Sequence, residues 1–286
     1  MFSLHFFTFF NVVHFFFFVL VYEIIYKYLC KIGSKILIVT GSPFDDGINM
    51  EIVDVEDSSF TCQFEAFPVR LYGATGGLIN GLPFLCGGYN IYFSNDCYKM
   101  TGAGSWTKDE TASLNTGRIF AGTGSVVIEN QLILSGGFGE PGLLNSIEMV
   151  SPDTAASTPS VELPTGFLGH CLVKWDESTV MVIGGVDVLQ ETQVHRTETL
   201  LIDVVSNTWS AGPILSTGRS LHACGEVEIM GTPYIVVSGG GVDDSTILKS
   251  TEILEKDNVE NGWQTSKHRK LFLTTCLLDI SLYFRN

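Results

Sequence analysis

Of 286 residues, 45% are apolar, 12% aromatic and 16% charged, so the chain is not a disordered polymer and is long enough for one large domain or two small ones. Thirty glycines against nine prolines, with few charged side chains to coat the outer faces of long helices, predict an all-β fold of short strands and tight turns. Thirty-one acidic against 16 basic side chains give a formal charge of −15, which repels a phosphate backbone and sets nucleic-acid binding aside.

Met1–Tyr22 carries no formally charged side chain and contains the runs FFTFF and FFFFVLV. As a helix rising about 1.5 Å per residue, such a stretch crosses a hydrocarbon core of roughly 30 Å. No basic residue precedes it and no small-residue cleavage site stands around Leu29, Cys30 and Lys31. Lys27, Lys31 and Lys35 follow it, the arrangement that holds the rest of a retained anchor in the cytoplasm. Residues 1–34 are therefore read as a hydrophobic leader with three alternatives: a signal, an anchor or an artefactual extension. Membrane association is expected only through residues 1–22. A genuine leader implies a secreted or membrane-anchored protein, and a spurious one a cytoplasmic protein.

From Lys35 onward an apolar run ending in glycine recurs. ILIVTG closes at Gly41, LPFLCGG at Gly88, LILSGG at Gly137, VMVIGG at Gly185 and YIVVSGG at Gly240. The first glycines of the four full pairs, Gly87, Gly136, Gly184 and Gly239, stand 49, 48 and 55 residues apart, and Gly41 lies 47 before Gly88. Three other marks keep phase. Ahead of each pair comes an Arg or a bulky residue followed by small residues, at Arg70, Arg118, Phe167 and Arg219. After a pair comes a Glu among apolar residues, at Glu51, Glu148, Glu198 and Glu252, and then Trp106, Trp209 or Trp263. Each unit thus predicts four short strands: one carrying small residues, one ending at the glycines, one bearing the Glu mark and one at or after the Trp. A sheet this small cannot bury both faces alone, so the units must stack, and a closed ring with small residues at its crowded axis is the economical solution.

The glycine pair after an apolar strand, the period near 50, the Arg-x-x-His of Arg219–His222 and the later Trp resemble kelch repeats. The resemblance covers roughly Lys35 to Lys267 and implies a kelch-type β-propeller of four-stranded blades over residues 35–286, with five recognisable repeats. The usual third-strand Tyr survives only as Tyr98, and Trp is absent from the repeat after Gly137. Kelch propellers most often have six blades, which leaves two expectations. Either KLFLTTCLLDISLYF returns to supply the first strand of the first unit, which otherwise begins at its second strand, or a sixth repeat has been truncated.

The seven cysteines, Cys30, Cys62, Cys86, Cys97, Cys171, Cys224 and Cys276, form no C-x-x-C pair, and most sit in apolar runs, which predicts buried thiols and no zinc site. No two histidines lie at ligand spacing. His170 and His222 occupy equivalent first-strand positions in adjacent units and are expected at the axial channel, but a pair without a third ligand predicts neither metal nor cofactor. Asp45-Asp46 and Asp243-Asp244 lack alternating calcium-loop spacing and read as solvated acidic turns. The glycine clusters precede no helix and no G-x-S-x-G elbow occurs, so neither a phosphate loop nor a nucleophile is indicated.

In a meander of four strands, the loop from second to third strand and the link into the next unit emerge on one face. That face is expected to hold Arg70, Arg118 and Arg219 near the rim, His170 and His222 at the channel, and Asp187, Asp243 and Asp244 around them. The alternative for each Arg is that it braces neighbouring blades through backbone carbonyls. The resemblance implies a non-catalytic scaffold that binds an unidentified protein partner through this face. The alternative function is a kelch-like enzyme of the sugar oxidase or epimerase type, with its site at the channel mouth.

Overall fold

A computed structural model describes residues 27–32, 35–40 and 50–54 as backbone strands, and residues 67–265 apart from 102–103, 123–125, 157–160, 190–191 and 244–245. The described chain is all-β and runs through five consecutive antiparallel meanders. The first sheet orders β1 (Lys27–Ile32), β2 (Lys35–Thr40) and β3 (Met50–Asp54). The second orders β4 (Thr75–Ile79), β5 (Leu82–Cys86), β6 (Asp96–Met100) and β7 (Trp106–Ser113). In the third, β8 (Val126–Ile128) and β9 (Gln131–Ser135) are followed by a short hairpin, β10 (Phe138–Gly139) with β11 (Gly142–Leu143), and then by β12 (Ile147–Val150) against β9. The fourth orders β13 (Cys171–Lys174), β14 (Thr179–Ile183), β17 (Thr199–Asp203) and β18 (Thr208–Ala211), with the hairpin β15 (Val186–Leu189) and β16 (Thr192–His195) in its long loop. The fifth orders β19 (Ala223–Ile229), β20 (Thr232–Ser238), β21 (Thr251–Glu255) and β22 (Gln264–Thr265).

The second strands are continuous apolar runs because both of their faces are covered. Side chains alternate across a strand, and the core shows the consequence. Leu132 and Leu134 pack with Phe84 and Cys86 of the second sheet, whereas Ile133 packs with Val180 and Val182 of the fourth. Met181 and Ile183 turn the other way, toward Ile235, Val237 and Leu254 of the fifth. The sheets therefore stack face to face in chain order. Their first strands meet in the same order, β1 against β4, β4 against β8, β8 against β13 and β13 against β19.

The second strands of the last four sheets end in the same register. Cys86 faces Cys97, Ser135 faces Ile147, Ile183 faces Thr199 and Ser238 faces Thr251. The two glycines that follow each of these strands all take positive φ, from 56° at Gly136 to 104° at Gly185. They do so to reach the next unit: the N–H groups of Gly88, Gly137 and Gly185 donate to the carbonyls of Arg118, Phe167 and Arg219 at 2.8, 2.9 and 2.8 Å.

The sequence expectations need three changes, and one expectation falls outside the described residues. The first sheet takes its first strand from Lys27–Ile32, inside the segment read as leader, so ILIVTG has a partner immediately before it. The expected return of residues 271–282 lies outside the described residues. Among the described residues the third sheet has no fourth strand, and this is the repeat that lacks the Trp. Finally, the buried cysteines are not all thiols. Cys86 pairs with Cys97, which strand register sets opposite it across β5 and β6, and Cys171 with Cys224, which the packing of first strands from adjacent sheets brings together.

Candidate interaction face

Arg118 and Arg219 were expected at an exposed rim, and both are buried completely. The Arg118 guanidinium donates to the carbonyls of Gly136 and Ser146, each at 3.0 Å, to Ser146 Oγ at 2.9 Å and to the Glu148 carboxylate. Glu148 in turn accepts the N–H groups of Asn115 at 2.5 Å and Thr116 at 3.1 Å. Arg219 repeats this clasp on Gly239, Ser250 and Glu252, and Glu252 accepts from Ser216 and Thr217. Burial lowers the pKa of both guanidiniums, and the facing carboxylate opposes that loss. Both residues brace through backbone carbonyls and a carboxylate, but within their own unit, not between neighbouring units.

Register corrects two assignments. Tyr72, Ile119, Leu168 and Ser220 make equivalent bridges, so the residue before each, Leu71, Arg118, Phe167 and Arg219, holds one structural position. Leu71, not Arg70, stands where the clasp arginine would be, and Arg70 is exposed one residue earlier. Likewise Leu85 faces Tyr98, Leu134 lies opposite Glu148, Val182 opposite Leu200 and Val237 opposite Glu252. Glu198 is therefore two residues out of phase, and Leu200 takes its place. The clasp donors, Asn115 and Ser216, become Pro68 and Pro164 in the other two units. Where Arg and Glu are replaced by uncharged residues, one of the two N–H groups that would have served the carboxylate is removed as well.

His170 and His222 do not face an open channel. Both are buried, and burial pushes both imidazoles down to about 3, with Arg219 and His170 adding to the effect at His222. His170 Nε2 lies 2.7 Å from Ser135 Oγ. Asp187 is also buried and pairs with Arg196 at 3.0 Å. Asp243 is exposed, and its carboxylate accepts the Thr246 N–H at 2.6 Å within its own turn. Asp244, Asp45 and Asp46 lie outside the described residues.

A feature without a sequence signature lies where the first strands meet. Gly73, Phe120, Gly169 and Leu221 are equivalent and share φ values of 68°, 53°, 64° and 52°. Phe120 N–H donates to Gly73 at 3.0 Å, Gly169 N–H to Phe120 at 3.3 Å and Leu221 N–H to Gly169 at 2.7 Å. This backbone ladder joins four consecutive units. Two of its rungs are bulky residues in a conformation that favours glycine, which hides the pattern in the sequence.

The long loops, 87–95, 136–146, 184–198 and 239–250, emerge together beyond the second strands. Each of these loops exposes apolar side chains: Ile91 and Tyr92, Phe138, Val194 and Ile247. Aromatic rings run across the first two of these loops, with Tyr72 against Tyr89 at 5.3 Å, Tyr89 against Phe93 at 5.2 Å and Phe93 against Phe138 at 5.6 Å. The opposite end has short turns such as Asn80-Gly81, Glu129-Asn130 and Met230-Gly231. Among the described residues no cluster of His, Cys, Asp and Glu is arranged to hold a metal, and no helix is long and apolar enough to cross a membrane.

No family model matches the chain. The chain is similar to spermatocyte protein spe-26 of Caenorhabditis elegans, with 37% identity over 82 residues. The matched segment is 29% of this chain and spans 14% of the length of that relative.

Proposed function

We propose that the chain is a kelch-type β-propeller acting as a non-catalytic protein-binding scaffold, with the loops after its second strands as the docking face. The observation that carries the functional reading is the exposure of apolar side chains on four consecutive loops on one side. The face-to-face succession of meanders, their period and the backbone ladder support the propeller. The enzyme alternative requires titratable groups open to a substrate around His170 and His222. Their complete burial supports the scaffold instead. Arg118, Arg219, His170, His222 and Asp187 then serve the ring, and Arg70, Asp243 and Asp244 remain proposed contacts.

The test compares two triple variants in partner capture, each with matched circular dichroism. Ile91→Ser, Phe138→Ser and Ile247→Ser change the docking face, whereas Leu82→Ser, Val205→Ser and Met230→Ser change exposed apolar residues on the opposite turns. The first set is expected to reduce capture by about tenfold or more and the second to leave it intact. Equal losses would overturn the assignment of the face.

A further inference from the structure

Three tryptophans mark fourth-strand positions, yet they differ in environment. Trp106 and Trp263 are 6% and 7% exposed, while Trp209 is 48% exposed. Trp209 lies opposite Ile202 on the face of the fourth sheet that packs toward the third. The third sheet has no described fourth strand to cover it. A groove of about 310 Å³ lies here, with Pro164, Phe167, Leu200, Trp209 and Ile214 among its walls.

This is also one of the two units in which the charged clasp has been replaced throughout. Phe167 stands for the arginine, Leu200 for the glutamate and Pro164 for the N–H donor, and all three line the groove. Ile214, 67% exposed, completes the apolar wall. The rim is polar and its charged residues are Arg196 and Glu198, with Asp187 buried behind them. Arg196 is shared between Asp187 at 3.0 Å and Glu198 at 3.7 Å, so one cation meets two carboxylates. Its guanidinium is engaged further by Thr165 Oγ1 at 2.7 Å and lies 5.0 Å from the Phe167 ring. Glu198, with its side chain 55% exposed, is the rim charge left facing solvent. A chain with a net charge of −15 adds a background potential of the same sign.

We infer that this groove binds an extended protein segment that presents an aliphatic side chain beside a lysine or arginine. The aliphatic group fills the space between Phe167, Leu200, Trp209 and Ile214, and the cation sits at Glu198. The apolar pocket supplies most of the affinity, and the carboxylate supplies selectivity against acidic segments. This deepens the scaffold reading by naming the chemistry of one partner segment, and it rests on that reading.

The test titrates the full chain with three synthetic peptides: GSLKRLSG, its acidic twin GSLEELSG and the aliphatic-free GSGKRGSG. Binding is followed by the Trp209 indole and Ile214 methyl resonances. The first peptide is expected to shift both signals saturably, with an affinity about tenfold above either of the others. Glu198→Lys is expected to move the preference to the acidic twin, and Ile214→Asp to weaken both aliphatic peptides. Equal binding of all three, shifts confined to the long loops at Ile91, Phe138 and Ile247, or a Trp209 already shielded from acrylamide in the free protein would overturn the inference. The docking-face variants separate the two readings: loss of partner capture there, with no peptide binding here, removes the groove and leaves the scaffold.

Discussion

At Gly137, two constraints coincide: φ is 92°, and a Cβ would stand 2.4 Å from the Ile119 carbonyl oxygen and 3.2 Å from Ala121. Gly142 has φ of 101° but nothing within 4 Å of an added Cβ. The pair separates backbone strain from close approach. Gly142→Ala is expected to cost ~1 kcal/mol, the left-handed penalty alone, and Gly137→Ala ~3 kcal/mol, measured by urea denaturation. Equal costs would place no backbone against Gly137. The buried histidines give a second prediction. Desolvation holds the native His170 and His222 near 3, whereas an unfolded histidine titrates near 6.5. Below pH 6.5 the unfolded chain gains protons that the native chain refuses, so stability falls as pH falls. The loss is about 1 kcal/mol per histidine between pH 6.5 and 5.5. A stability profile flat over that interval would contradict the burial. Both histidines were visible in the sequence as equivalent residues, but their burial was not, because recurrence alone cannot tell a channel from a packed core. Arg70 was misplaced for a simpler reason: counting back from the glycines does not resolve a slip of one residue, and one residue moves a side chain to the other face.

Within the units, the Arg–Glu clasp and its apolar replacement are two solutions to the same problem of tying the entry link to the third strand. Glu148→Ala leaves a buried guanidinium without its carboxylate and is expected to cost about 3–5 kcal/mol. Combining Asn115→Pro, Arg118→Phe and Glu148→Leu copies the fourth unit's own solution and should cost less than Glu148→Ala alone. Chemical denaturation checks both, and a triple variant less stable than the single one would show that the two solutions are not interchangeable. The second strands could be read from sequence because they are apolar on both faces and end at paired glycines. Strand β1 could not, because Lys27 and Lys31 punctuate it and it adjoins the Phe-rich run that dominated the reading of residues 1–34. The hairpin β15–β16 was equally hidden within a loop rich in Thr and Gln.

For the molecule as a whole, the repeat period made the succession of second strands legible, since an apolar run ending in glycine recurs in each recognisable unit. The cross-links between units were not legible. Cys171 and Cys224 stand 53 residues apart, and only the meeting of β13 with β19 brings them together. The backbone ladder depends on conformation at Phe120 and Leu221, not on residue type. That ladder is where adjacent units join, so it offers the most direct test of the stacked-unit architecture: residue-resolved hydrogen exchange of the Phe120, Gly169 and Leu221 amides in the intact chain. They are expected to be protected to the same degree as amides within β9, β14 and β20 and to lose protection together as denaturant is added. Exchange of these three amides at loop-like rates, while the strands stay protected, would mean that the units fold without being joined through their first strands and would contradict the account.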